Sequence, residues 1–227
     1  MPDSLLLWDI DGTLIFADRA GERTLIRLIK ELYHRDLGDK LPVALQGRTD
    51  TSIARDILAH LRVPATPEEE KRYLAAYLAL LPQMLPTAKA RLHPGIQKAL
   101  DAVHAHPEIH QGLLTGNLEE GARLKLTHLN IWQYFEFGAY ADDSHIRNEL
   151  GPFALARARE KLGIDFPPER VFIIGDTPFD IACGKAIGAK TIAVATGGFT
   201  VAQLEAENPT CVFADLSDTD ALLRLIL

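Results

Sequence analysis

The stretch Leu5-Leu6-Leu7-Trp8-Asp9-Ile10-Asp11-Gly12-Thr13 decides how the rest of the chain is read. Four consecutive apolar residues are too short a run for a helix. They fit a strand covered on both faces, as in a parallel sheet, rather than the alternation of a sheet with one wet face. Two acids follow at once, and a two-residue spacing on extended chain places both carboxylates on one side. Gly12 lets the chain turn sharply away. Ligand sites in open parallel sheets lie beyond the carboxyl ends of the strands. Asp9 and Asp11 are therefore either ordinary turn carboxylates or part of a site, and the other strand ends must decide between the two.

Outward from this stretch, the chain changes rhythm. From Gln111 onward, short apolar runs at 112–115, 134–139, 171–174 and 191–195 alternate with helical patterns at 118–129, 153–162 and 181–187, which is the order of a parallel β/α sheet. Residues 17–87 hold no comparable strand and read as helices near 21–33, 49–61 and 67–81. Thr66-Pro67-Glu68-Glu69 has the form of a capping box, with Thr66 as N-cap, Pro67 at the first helical position and Glu69 reaching back. The expected fold is α/β: a Rossmann-like parallel sheet with helices on both faces, plus an inserted all-helical cap. The expected core spans 1–16 and 88–227, the expected cap 17–87, and both crossings flank the end of the first strand.

The chain of 227 residues is 47% hydrophobic and 24% charged, an ordinary composition for a self-sufficient globular protein. Its 24 Lys and Arg against 31 Asp and Glu leave a net charge of −7, with no dense basic run, so nucleic acid and anionic membranes are poor partners. The same field repels an anionic substrate unless local cations, backbone N–H groups or a metal receive it. Cys183 and Cys211 show no paired spacing, no signal peptide precedes Asp9, and the run Leu5–Trp8 is far too short to span a bilayer. The expectation is a cytoplasmic protein with reduced thiols.

Two further strand ends carry chemistry. Leu113-Leu114-Thr115-Gly116-Asn117 presents a hydroxyl and freed N–H groups at Gly116 and Asn117, a cradle for a phosphate. Asn117, with Glu120 three residues on, equally reads as an N-cap. Ile173-Ile174-Gly175-Asp176-Thr177-Pro178-Phe179-Asp180 delivers two more carboxylates. Thr177, Pro178 and Asp180 form a capping-box pattern that accounts for Asp180, whereas Asp176 has no such explanation and is the better metal ligand. Asp9, Asp11 and Asp176 offer hard oxygens suited to Mg²⁺, with Asp180 behind them. Zinc would want histidine or thiolate, and the eight histidines are scattered. No GxSxG, P-loop or GxGxxG pattern is present.

With these residues in place, the chain resembles the haloacid dehalogenase-like (HAD) hydrolase superfamily, in its phosphoglycolate phosphatase-like branch with a helical cap. The resemblance implies that Asp9 is the nucleophile, Asp11 the general acid/base and Thr115 the phosphate-binding hydroxyl, with Asp176 and Asp180 on the acidic fourth motif. In the third motif, relatives carry a Lys-Pro pair. The corresponding Ser144-His145-Ile146-Arg147-Asn148-Glu149-Leu150 has no lysine, and Arg147 is the nearest cation. Gly47-Arg48-Thr49-Asp50 looks like the cap loop placed over the site, with Arg48 either at the substrate's non-phosphate end or on a solvent face. The implied activity is Mg²⁺-dependent hydrolysis of a small phosphorylated metabolite, phosphoglycolate-like or a sugar phosphate, through a phosphoaspartate, by a monomer or homodimer. Sugar-phosphate mutase, phosphonatase and a catalytically silent binding module are the alternatives on the same scaffold.

Overall fold

The structure is a computed structural model and describes residues 3–227. Its elements run β1 Ser4–Trp8, β2 Ile15–Phe16, α1 Ala20–Tyr33, α2 Asp50–His60, α3 Pro67–Met84, β3 Arg91–Leu92 and α4 Ile96–His104. They continue with β4 Ile109–Leu114, α5 Glu119–His128, β5 Gly138–Ala139, α6 Leu150–Leu162, β6 Val171–Gly175, α7 Pro178–Ala186, β7 Lys190–Val194, α8 Val201–Glu205, β8 Cys211–Phe213 and α9 Thr219–Ile226.

Among the described residues, six strands form one sheet in the order β5-β4-β1-β6-β7-β8, and every pairing in it is parallel. This is the α/β fold expected, with β1 central and buried throughout. Its side chains divide between the two faces at period two. Leu6, Trp8 and Ile10 pack with Ile96, Leu100 and Val103 of α4, Leu126 of α5 and Leu222 of α9. Leu5 and Leu7 pack with Leu150, Ala154 and Ala158 of α6 and Cys183 of α7. Helices on both faces are what make a continuous apolar run viable as a strand.

Chain order crosses from β1 through the inserted helices to β4 on one side, and β6 closes on the other, so β1 lies at a switch in strand order. Trp8 is in register with Leu113 of β4 and Ile174 of β6. The residues after these three strands therefore emerge side by side, at the place where such sheets hold ligands.

The segment expected as a strand over 134–139 pairs only at its end, Leu113 with Gly138 and Leu114 with Ala139. A 3₁₀ turn, Trp132–Tyr134, occupies its start. The chain between is extended, with Phe135 in one apolar cluster and Phe137 in the other.

Helices α1, α2 and α3 share their own apolar cluster, including Leu28, Ile57, Tyr73 and Leu81, to which Leu118 and Ala141 of the sheet-bearing part also belong. Thr66 accepts a hydrogen bond from the Glu69 N–H and Pro67 opens α3, but the Glu69 carboxylate accepts from the Tyr33 hydroxyl and the Arg72 guanidinium instead of closing the box. β2 and β3 form a short antiparallel ribbon where the chain crosses to and from these helices, Ile15 opposite Leu92 and Phe16 opposite Arg91. The Arg91 guanidinium lies 4.2 Å from the Phe16 ring centre. Among the described residues no helix is long and apolar enough to cross a membrane. Cys183 and Cys211 are both free thiols.

Candidate active site

The three adjacent strand ends open into a cavity of about 670 Å³, walled on one side by Asp9, Asp11, Gly116, Asn117 and Asp176 and on the other by cap residues that include Leu25, Arg48, Asp50 and Tyr77. Gly12 turns the chain at φ +90°, and a Cβ there would stand 2.4 Å from the Asp176 carboxylate. Only glycine lets the first loop and the β6 end share this space.

Asp9 is 6% exposed. Its backbone N–H donates to the Ile174 carbonyl at 2.9 Å, continuing the β1–β6 ladder by one residue and fixing where the side chain starts. Arg147 Nη2 donates to Asp9 Oδ1 at 2.9 Å and also to Asp180 Oδ1. Arg147 itself is 7% exposed, and its backbone carbonyl accepts from the Cys183 thiol below. Asp9 Oδ2 has no protein donor among the described residues. Arg147 Nη1 faces the second strand end, 3.0 Å from where a Cβ on Gly116 would sit. Arg147 thus holds one oxygen of Asp9 and leaves the other without a protein donor among the described residues.

Asp9, Asp176 and Asp180 bring carboxylate oxygens within 4.8 Å of one another, all buried. Asp180 has both oxygens engaged: Oδ1 by Arg147, and Oδ2 by the Thr177 N–H and hydroxyl in the capping box expected from sequence. Asp176 accepts one bond, from the Thr13 hydroxyl at 3.2 Å. Burial, with Asp180 and Asp9 adding to it, pushes the Asp176 carboxyl up to about 8. Burial also pushes Asp9 up to about 6, with the Arg147 charge opposing it and the Asp180 charge adding. Burial disfavours the Arg147 charge as well, yet the carboxylates of Asp180 and Asp9 more than offset this and hold the guanidinium firmly protonated. Three buried carboxylates against one guanidinium leave an excess of negative charge, and a hard divalent cation such as Mg²⁺ fits that donor set.

Asp11 lies outside this cluster. Its Oδ2 accepts from Lys125 Nζ at 2.6 Å and from Asn117 Nδ2 at 2.9 Å. Expected as a third metal-ligating side chain, Asp11 instead turns to an ammonium and an amide, while Asp180 stands in the acidic group.

At the β4 end, Thr115 is fully buried. Its Oγ1 accepts from Asn117 Nδ2 at 2.9 Å and from the Asn117 N–H at 3.3 Å. With both lone pairs taken by donors, the hydroxyl hydrogen is left to donate, which is the role a phosphate oxygen requires. Asn117 does not cap α5. The first N–H groups of that helix go to Asp50 of the cap, from Leu118 at 2.9 Å, and to Asp142, from Glu119 at 2.7 Å.

The cap loop rests on this end of the sheet through its backbone. The Asp50 N–H donates to the Gly116 carbonyl at 2.7 Å, and the Thr49 and Thr51 hydroxyls donate to the His145 and Ala141 carbonyls. A Cβ on Gly116 would lie 2.0 Å from the Arg48 carbonyl oxygen, so this contact needs glycine. Arg48 lines the cavity wall, and its guanidinium pairs with Asp56 of the following helix α2 at 2.5 Å. Burial pushes the Asp50 carboxyl up to about 6, with the Lys125 charge opposing.

Sequence reasoning missed Lys125. The signal was available: α5 buries Gly121, Ala122, Lys125 and Leu126, a helical stripe in which a lysine is out of place.

A parallel sheet that gathers a buried aspartate, an arginine, a threonine and a second acidic loop at its switch point, beneath an inserted helical cap, has the layout of an α/β enzyme with its ligand site at the strand ends. The family model described as haloacid dehalogenase-like hydrolase matches residues 6–194, and the chain belongs to that family. Among curated proteins, the chain is 27% identical over 223 residues to the phosphoglycolate phosphatase of Aquifex aeolicus (strain VF5), covering 96% of each chain. It is 25% identical over 225 residues to that of Pseudomonas fluorescens (strain Pf0-1), covering 93% of this chain and 76% of the relative. Among solved structures, CbbY from Rhodobacter sphaeroides in complex with phosphate is similar in fold, with a TM-score of 0.74 at 16% identity over 95% of this chain and 96% of that one.

Proposed function

We propose that this protein is a Mg²⁺-dependent phosphatase that hydrolyses a small phosphorylated metabolite through a phosphoaspartate on Asp9. The observation that carries this reading is the state of Asp9: buried at the end of the central strand, with Oδ1 held by Arg147 and Oδ2 left without a protein donor. The Asp9 Oδ2 attacks phosphorus in line as the bond from phosphorus to the leaving oxygen breaks, and Asp11 gives that oxygen its proton. Asp11 then takes a proton from water, whose oxygen attacks the phosphoaspartate, releasing phosphate and restoring the Asp9 carboxylate. Thr115, the N–H groups at Gly116 and Asn117, and Arg147 receive the phosphoryl oxygens, Arg147 through its fork of donors. Asp9 and Asp176 would hold Mg²⁺, with Asp180 behind them orienting Arg147. When bound, the ion supplies charge stabilisation to the transferring phosphoryl group.

The domain reading goes with this function. Residues 17–87 act as a cap that closes over the core formed by 1–16 and 88–227, where residues 1 and 2 lie outside the described part, and the β2–β3 ribbon stands at both crossings. Both curated relatives are named phosphoglycolate phosphatases, so a phosphoglycolate-like ester is the first substrate to test. The two free thiols go with a cytoplasmic enzyme, acting as monomer or homodimer, and the acidic net charge goes with a small metabolite rather than nucleic acid or a membrane as partner.

A phosphate-release screen over small phosphoesters, with and without Mg²⁺, tests the reading. Release that depends on Mg²⁺ is expected for the parental protein, and none for Asp9→Asn with an unchanged circular dichroism spectrum. Release by Asp9→Asn at the parental rate would remove Asp9 as nucleophile, and an isomeric product without free phosphate would make the protein a mutase.

A further inference from the structure

Lys125 is a lysine on the buried stripe of a helix, with a side chain 5% exposed, and its ion pair is with Asp11. A buried ammonium is tolerated only where its charge and N–H groups are met. Here Nζ donates to Asp11 Oδ2 and to Asn117 Oδ1, both at 2.6 Å. The Asn117 amide completes a ring by donating Nδ2 to the same Asp11 oxygen and to Thr115 Oγ1, each at 2.9 Å.

We propose that Lys125 is a positioning residue that sets the general acid/base Asp11 and, through Asn117, aims the phosphate-facing hydroxyl of Thr115. The proposal rests on the phosphohydrolase reading above.

Two consequences of the ring carry it. The Asp11 side chain is 39% exposed, so without an anchor its carboxylate would rotate. Two donors on Oδ2 fix the plane of the group and leave Oδ1, which no described residue bonds, to exchange a proton with leaving group and water. The ammonium also fixes the Asn117 amide. Facing a cation, Oδ1 cannot trade places with Nδ2, so Nδ2 must donate to Thr115 and the Thr115 hydrogen must point elsewhere. Without the ammonium only the Asp11 carboxylate still orients the amide, and once that unanchored group rotates the amide turns and the Thr115 hydroxyl donates to Asn117 instead of to phosphate. The two cations of the site divide the work: Arg147 sets the nucleophile and Lys125 the proton-transfer group.

A buried lysine that only filled space would lower stability and slow every substrate alike. A residue that positions the acid affects the first displacement only where the leaving group needs a proton. The test measures first-turnover rates of parental and Lys125→Met protein, with Mg²⁺, on p-nitrophenyl phosphate, whose leaving group departs unprotonated, and on an alkyl phosphate that the parental protein hydrolyses. The alkyl ester is expected to slow by about 100-fold or more. The aryl ester is expected to slow by about tenfold or less, reflecting the disturbed Thr115, and Lys125→Arg is expected to recover part of the alkyl rate. Equal slowing of both esters, or an unchanged alkyl rate, overturns the proposal while leaving the phosphatase reading intact. Failure of the parental protein to hydrolyse any ester overturns both. Should Lys125→Met not fold, the same comparison on Lys125→Gln, which keeps a polar group but no charge, decides.

Discussion

Arg147 joins two buried carboxylates through a single nitrogen of its guanidinium. Its Nη2 sits between Asp9 and Asp180, and its removal leaves two buried carboxylates facing each other without a cation. Arg147→Ala is expected to destabilise the metal-free protein by about 3–5 kcal/mol, the cost of breaking a buried ion pair from one side, and to lower kcat/KM steeply. Arg147→Lys keeps the charge but has no fork to serve Asp9 and phosphate together, so its stability should fall less than its kcat/KM. Urea unfolding alongside phosphate-release kinetics checks both, and equal losses in the two variants would make Arg147 a structural residue alone. Arg147 reaches both carboxylates from the 3₁₀ turn Arg147–Glu149.

At the scale of elements, the site is an agreement between the start of α2 and the loop before α5. Asp50 of one helix caps the other through the Leu118 N–H, and its own N–H returns to the Gly116 carbonyl. Gly116→Ala would place a Cβ against the Arg48 carbonyl oxygen, which can only be relieved by moving the cap loop away. The expected outcome is a fall in kcat/KM of about tenfold or more with a small change in melting temperature, since the helices of cap and core keep their own apolar clusters. Faster hydrogen exchange of the first amides of α2 would locate the change, and unchanged exchange with full activity would count against this contact. The sequence showed α2 and its Thr49 boundary through helical spacing, but not that Asp50 belongs to a helix 68 residues further on.

Over the whole molecule, an acidic chain concentrates buried negative charge at one point of its sheet. Asp9 and Asp176 are raised above the ordinary carboxyl value, to about 6 and about 8, chiefly by burial. For an acid raised in the folded state, folding takes up protons, so its stabilising share is present at low pH and is lost as pH rises through the folded value. The metal-free protein is therefore expected to lose stability between about pH 4 and pH 8, and Mg²⁺ should raise the melting temperature more at pH 8 than at pH 5.5, because at low pH it competes with protons for the same oxygens. Thermal melts with chelator and with Mg²⁺ at several pH values test this. An effect of Mg²⁺ that does not grow with pH would separate the acidic cluster from metal binding.

Local spacing alone carries the parallel β/α order, the inserted helices and the strand ends with Asp9, Thr115 and Asp176, because buried strands, helix periods and capping boxes are short-range patterns. It passed over α4 and α9, amphipathic helices packed on one face of the sheet, and it extended the strand ending at Ala139 beyond the two residues that find a partner. Which way polar side chains turn once they share a cavity is a matter of long-range packing. Asp11 and Asp180 illustrate it: Asp11 is drawn from the acidic cluster by Lys125, which arrives 114 residues later, and Asp180 is drawn into it by Arg147. In a low-dielectric pocket each ion goes to the partner that best offsets its desolvation, and that partner is set by which strands lie side by side rather than by distance along the chain.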